Sequence, residues 1–214
     1  MVVILLLPLL FPGEPPPQVG ANLPPPWRTQ LLANGDLQVF GLTPGVSRLE
    51  DAVSLLGTQP EVALIAAPGE DASLEAFFSS VAPGGVKGKM VLALATTAQQ
   101  REAMLSQAVD AEYMKSSTRR IVLDDAHRLA AQQALIDAIA FIAAANLDEE
   151  TIVQRFGPPA ERLRSSESTE HFLYPERGLE LRLDAGGKEV LQYVAPRQFQ
   201  RLRDPLVMKS SSLD

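Results

Sequence analysis

The chain has 214 residues, two histidines and no cysteine. Imidazole chemistry is therefore confined to His127 and His171, and cysteine nucleophiles and thiolate metal sites are excluded. The run Asp124-Asp125-Ala126-His127 places two carboxylates and an imidazole at the start of a helical stretch. Neither a second histidine nor a thiolate stands beside it, so it reads as negative charge complementing a helix N-terminus. Glu170-His171, followed by Tyr174, falls in a strand pattern. A general base and a pH switch are alternatives there; with Phe172 pointing inward, His171 reads as a cross-strand surface residue. Ser116-Ser117 and Ser165-Ser166 lack the G-x-S-x-G elbow, and Gly84-Gly85 and Gly186-Gly187 lack the strand-to-helix setting and lysine of a phosphate loop. Glu149-Glu150 could serve acid-base work, but neighbours on a helix point apart and a first turn favours negative charge anyway. No catalytic residue, cofactor-binding residue or metal ligand is assigned, and no cofactor is expected.

What remains is surface. PRQFQRLRDPL sets Arg197, Arg201 and Arg203 beside Phe199 and Leu202 in a short amphipathic stretch of a chain whose net charge is -7. Arginine with an aromatic is the composition of interface anchors, so Arg197, Phe199, Arg201 and Arg203 form the candidate protein interface. The alternative is a solvated last turn with its cations near a helix C-terminus. The acidic balance excludes a general nucleic-acid binder, which needs clustered cations to displace counterions from phosphates. It disfavours binding to anionic lipid surfaces for the same reason. Tyr113 and Tyr193 read as core or semi-buried residues.

The elements that must position these residues follow from pattern. QLLANGDLQVF carries Asn34-Gly35 between two apolar runs, which predicts a hairpin with strands near 29–33 and 37–40. A capped helix follows: Ser47 and Glu50 have capping-box spacing, Leu49, Ala52, Val53 and Leu56 form the stripe, and Gly57 can take the left-handed end. The phrase recurs: Ile152, Val153, Phe156 and Gly157 stand 100 positions after Ala52, Val53, Leu56 and Gly57, with Asn146 and Glu149 in the N-cap and N3 roles. After Gly57 come EVALIAA, LEAFFSSV and GKMVLALA; after Gly157 come ERLRSS, EHFLYPERGLELRLD and KEVLQYVA, with a turn at 184–187. Each half thus reads as a strand, a short helix and an antiparallel meander. Between them lie a helical stretch near 98–111, a strand at 119–123 and a helix over 124–135.

The N-terminus stands apart. Residues 1–11, MVVILLLPLLF, are apolar but too short to span a bilayer, since a helix rises only ~1.5 Å per residue. They read as the distal half of a signal anchor with its basic start upstream; a packed apolar segment and a cleaved signal peptide are the alternatives. Residues 12–26 contain seven prolines and read as an extended spacer.

Gly-Leu-Thr-Pro-Gly at 41–45, then an apolar helix, then L-G-x-x-P at 56–60, with F-G-P-P at 156–159, resembles the signature of SmpA/OmlA (BamE-like) envelope domains and the related β-lactamase-inhibitor-protein fold. The whole chain is similar to membrane-anchored proteobacterial proteins carrying such a domain, through AEYMKSSTR at 111–119, NLDEE at 146–150 and KEVLQYVAPR at 188–197. The resemblance implies a cell-envelope location and protein contact. The lipoproteins of that family carry an acylated cysteine, which this chain lacks.

The expected architecture is α+β: two related units of short helix plus small antiparallel sheet, behind an apolar N-terminus and Pro-rich spacer. The divisions are 1–11 anchor, 12–26 linker, 27–135 first unit with a helical insertion, 136–207 second unit and 208–214 disordered tail. The expected function is non-enzymatic: binding or assembly with another envelope protein, on the periplasmic side of the inner membrane. The alternatives are a hydrolase drawing on Glu170, His171 or the Asp124-Asp125-His127 cluster, and an inhibitor that fills an enzyme cleft with its sheet.

Overall fold

Period-two alternation governs most of the chain. Over 139–143 and 73–78 every second side chain is buried, which is what a pleated strand does with its two faces. The computed structural model describes residues 19–67, 71–113 and 118–211; residues 1–11, Ser116 and Ser117 lie outside the described residues. In chain order the elements are β1 (Gln30–Leu31), β2 (Leu37–Gln38), α1 (Leu49–Leu56), β3 (Glu61–Ala66), β4 (Ser73–Val81), β5 (Gly88–Leu94), α2 (Ala98–Ser106), β6 (Asp110–Tyr113), β7 (Arg119–Val122), α3 (Asp125–Ala131), β8 (Ile136–Ala143), α4 (Glu149–Phe156), β9 (Glu161–Arg164), β10 (Thr169–Tyr174), β11 (Leu179–Asp184), β12 (Val190–Val194) and α5 (Gln200–Ser210).

Ten of the strands form one antiparallel sheet in the order β6-β7-β3-β4-β5-β8-β12-β11-β10-β9. This corrects the expectation of two units with small sheets of their own. β8 pairs with β5 along one edge and with β12 along the other, so both meanders are hydrogen-bonded into a single sheet and the helices are short additions to it. The physical reason is the edge: each meander alone would leave an unpaired row of backbone groups, and one shared strand satisfies both.

The two phrases are both helices that end on a glycine with positive φ, 67° at Gly57 and 80° at Gly157. Their caps differ from the predicted ones. Arg48 and Asp148 occupy the N-cap positions, because the Ser47 hydroxyl accepts from Thr43 N–H and the Asn146 side-chain Oδ1 accepts from Lys188 Nζ. The helix expected over 98–111 stops at Ser106, and Val109 N–H then donates to the Val122 carbonyl so that β6 can join β7. Residues 208–210 of the expected tail are the last turn of α5.

The inner face of the sheet carries the core. Leu64, Leu74, Phe78, Met90, Leu92, Ile139, Phe141, Leu191 and Tyr193 pack under Leu49, Ala52 and Leu56 of α1 and Ile152 and Phe156 of α4. Phe40 occupies the middle, its ring 5.6 Å from both Phe141 and Tyr193. Phe40 and Gly41 form the two-residue turn closed by Val39 and Leu42, with φ of 56° and 78°. A phenylalanine in that region is strained, and burial of its ring holds it there. Residues 19–26 of the expected spacer lie on the body: Val19 and Leu23 pack against the core, Ala82 N–H donates to the Val19 carbonyl, and Tyr193 Oη–H donates to the Pro26 carbonyl at 2.8 Å.

Candidate functional site

The outer face of the sheet is divided. One row of residues in register runs Glu61, Phe77, Val91, Ala140, Gln192, Glu180, Leu173 and Glu161 across eight strands; a second runs Ala63, Glu75, Ala93, Ala138 and Val194. At the β9 end this face is sealed, with Leu173 and Val194 no more than 1% exposed. Helix α5 does the sealing. Arg203 grips both Glu161 oxygens at 2.6 and 2.9 Å, and Arg201 grips both oxygens of Asp137, the extra residue of the β5–β8 bulge, at 3.0 and 2.6 Å. Planar guanidinium against planar carboxylate fixes direction as well as distance.

The candidate interface residues are therefore already engaged within the chain. Arg197 pairs with Asp36, Arg201 and Arg203 hold α5, and Phe199, just ahead of that helix, is 3% exposed.

The other half of the outer face is open. The buried residues of α1 to α4 belong to the inner core, and among the described residues no helix stands over Ile65, Phe77, Val91, Ala93 and Ala140, which are half-buried. A solvated sheet face ordinarily alternates to polar residues; here most positions are apolar. The hollow above it, of about 340 Å³, is lined by Ala63, Ile65, Phe77 and Val91, with Glu75 in its floor and the Arg120–Glu61 ion pair (3.2 Å) at its rim.

Burial pushes the Glu75 carboxyl above the usual carboxylate range, against a smaller opposing effect of its hydrogen bond with Ser73. A carboxyl whose folded pKa is raised penalises folding above that pKa, and the penalty disappears below the unfolded value. Glu75→Gln is accordingly expected to raise the melting temperature at pH 7 and to lose that advantage by about pH 4, near the unfolded value; thermal scans across that range check it.

His171 is buried, in correction of the surface reading. β10 is covered on both sides, so Phe172 faces the inner core while His171 faces the sealed part of the outer face, 5% exposed. A polar relay crosses four strands around it. Glu180, 1% exposed, holds His171 Nδ1 at 2.6 Å; the opposite ring nitrogen, Nε2, is 2.7 Å from Ser165 Oγ; and Gln192 Nε2–H donates to the second Glu180 oxygen at 2.8 Å. A carboxylate can only accept, so in the neutral imidazole the proton is on Nδ1 and Nε2 accepts from the serine hydroxyl. Arg182 stands directly across from His171 on the same face, and its buried Nε–H has no partner among the described residues.

His127 has a local role. Asp124 caps α3, accepting from His127 N–H at 2.7 Å and meeting His127 Nδ1 at 3.0 Å, which holds its carboxyl below the usual range. Glu149 pairs with Arg162 at 2.7 Å. Among the described residues no group of three histidines or acids could hold a metal ion, and no helix is long and apolar enough to cross a membrane.

Sequence reasoning missed Glu180 and Ser165 as partners of His171. The signal lay in the turn Pro175–Arg177 with Gly178: placing it pairs Tyr174 with Leu179 and His171 with Arg182, which sets Glu180 diagonal to the imidazole. Comparison of the chain with protein families, with curated proteins and with solved structures finds no match.

Proposed function

We propose that this chain is a protein-binding component of the cell envelope, held at the periplasmic side of the inner membrane through its apolar N-terminal residues. It receives another envelope protein on the open half of the outer sheet face. The observation that supports this is the unequal cover of that face: α5 closes one half with arginine–carboxylate pairs, while Ile65, Phe77, Val91 and Ala93 on the other half have no helix above them among the described residues. The occupant that fits is an amphipathic helix bearing a cation. Its apolar side would cover Phe77 and Val91, and its cation would meet Glu75, whose carboxylate burial disfavours.

The experiment is site-specific photocrosslinking in envelope fractions, from position 65 on the open face and from position 208 on α5. A discrete adduct is expected from position 65 alone, weakened tenfold or more by Glu75→Lys, which turns an attraction into a repulsion. Equal adducts from both positions, or a yield indifferent to Glu75→Lys in a variant with an unchanged circular dichroism spectrum, would remove the reading.

A further inference from the structure

At the opposite end of the same face, and independently of any docking, we propose that Ser165 is a nucleophile activated by His171 and Glu180 for acyl transfer from an ester. Nucleophile, base and orienting acid stand in one diagonal line: Ser165 Oγ to His171 Nε2 at 2.7 Å, His171 Nδ1 to Glu180 Oε1 at 2.6 Å. The acid is itself anchored, its second oxygen bound by Gln192 at 2.8 Å, so the imidazole is held in the tautomer that can take a proton from serine. Ser165 follows β9 directly and is half-buried, whereas most of the base and all but 1% of the acid lie beneath the surface.

The second observation is Arg182. Buried donors without partners are uncommon in folded proteins, and the Arg182 Nε–H is one of them, on the strand next to His171 and in register with it. A donor in that place is suited to an oxygen that gains negative charge. In the first step Ser165 Oγ forms a bond to the ester carbonyl carbon, its proton passes to His171 Nε2, and the carbonyl electron pair moves onto oxygen beside Arg182. Collapse of that adduct breaks the bond to the alcohol oxygen, which leaves with the proton from Nε2. Water then attacks the acyl-serine, giving its proton to the same nitrogen, and collapse releases the carboxylic acid and restores the Ser165 hydroxyl. The substrate class is a small carboxylic ester that reaches the sheet margin.

The test uses the intact chain with a fluorophosphonate, the adduct located by peptide mass mapping, and p-nitrophenyl acetate as the carbonyl substrate. An adduct on Ser165 is expected, absent in Ser165→Ala, kept in Ser166→Ala, and formed on the order of a hundredfold more slowly in His171→Gln. Arg182→Met is expected to slow p-nitrophenyl acetate turnover by roughly the same factor. An unlabelled wild-type protein, an adduct on another serine, or labelling that persists when the chain is unfolded in urea would each overturn the assignment. The comparison of folded with unfolded wild type decides the matter even where the His171 variant fails to fold.

Discussion

Glu180→Ala will cost the fold about 1 to 4 kcal/mol, because a buried and a half-buried donor lose their partner, and a buried donor costs roughly 1 to 3 kcal/mol to leave unmet while a half-buried one costs less. The two groups are His171 Nδ1–H and the Gln192 side-chain amide, which reach the two oxygens of this one carboxylate at 2.6 and 2.8 Å. Water cannot take the carboxylate's place, since Glu180 is 1% exposed and its cross-strand neighbour Leu173 is fully buried. Glu180→Gln keeps the volume and one acceptor and will cost less. Urea denaturation of the three proteins measures the difference; an alanine variant within about 0.5 kcal/mol of wild type, the range of ordinary surface substitutions, would show that the relay contributes nothing to stability.

Gly178→Ala will destabilise the protein by about 2 to 4 kcal/mol, through overpacking added to an unfavourable backbone conformation. Gly178 ends the Pro175–Arg177 turn with φ 52°, and its carbonyl accepts from Val194 N–H at 2.9 Å, so the two backbones are drawn together. A β-carbon there would fall inside the van der Waals surface of the Val194 carbonyl oxygen. Neither side can retreat: Val194 is in register with Ala138 in the middle of the sheet, and Tyr174 and Leu179, which flank the turn, are paired with each other. Gly186→Ala serves as the control. Its added carbon would meet only an Asp184 oxygen at 3.9 Å, and its φ is not in the left-handed region, so the change should stay within about 0.5 kcal/mol.

Most of the strands and both glycine-ended helices were legible because alternation and a terminal glycine are local signals, written within ten residues of each other; β6 and the two N-caps depend on contacts farther off. The single sheet was not. The alternation of IDAIAFIA predicts a strand, but nothing within it says that Met90 and Leu191 both come to lie beside Phe141. The arginines of the C-terminal stretch were read from type and spacing as available for a partner; their carboxylates, Asp36, Asp137 and Glu161, stand 161, 64 and 42 positions away, beyond what spacing can convey. His171 was misread for a related reason. Its own strand looks amphipathic, and only the return of α5 over the outer face converts the polar side into an interior.

The placement of β8 has a consequence for the order in which the protein can be made. β3, β4 and β5 are all complete by Leu94, yet the free side of β5 has to wait for Ile136–Ala143, and β8 in turn waits for Val190–Val194 near the end of the chain. While the protein folds, the first meander therefore keeps a bare, apolar strand edge until Ile136–Ala143 pairs with it, and β8 in turn keeps an open edge until Val190–Val194 arrives.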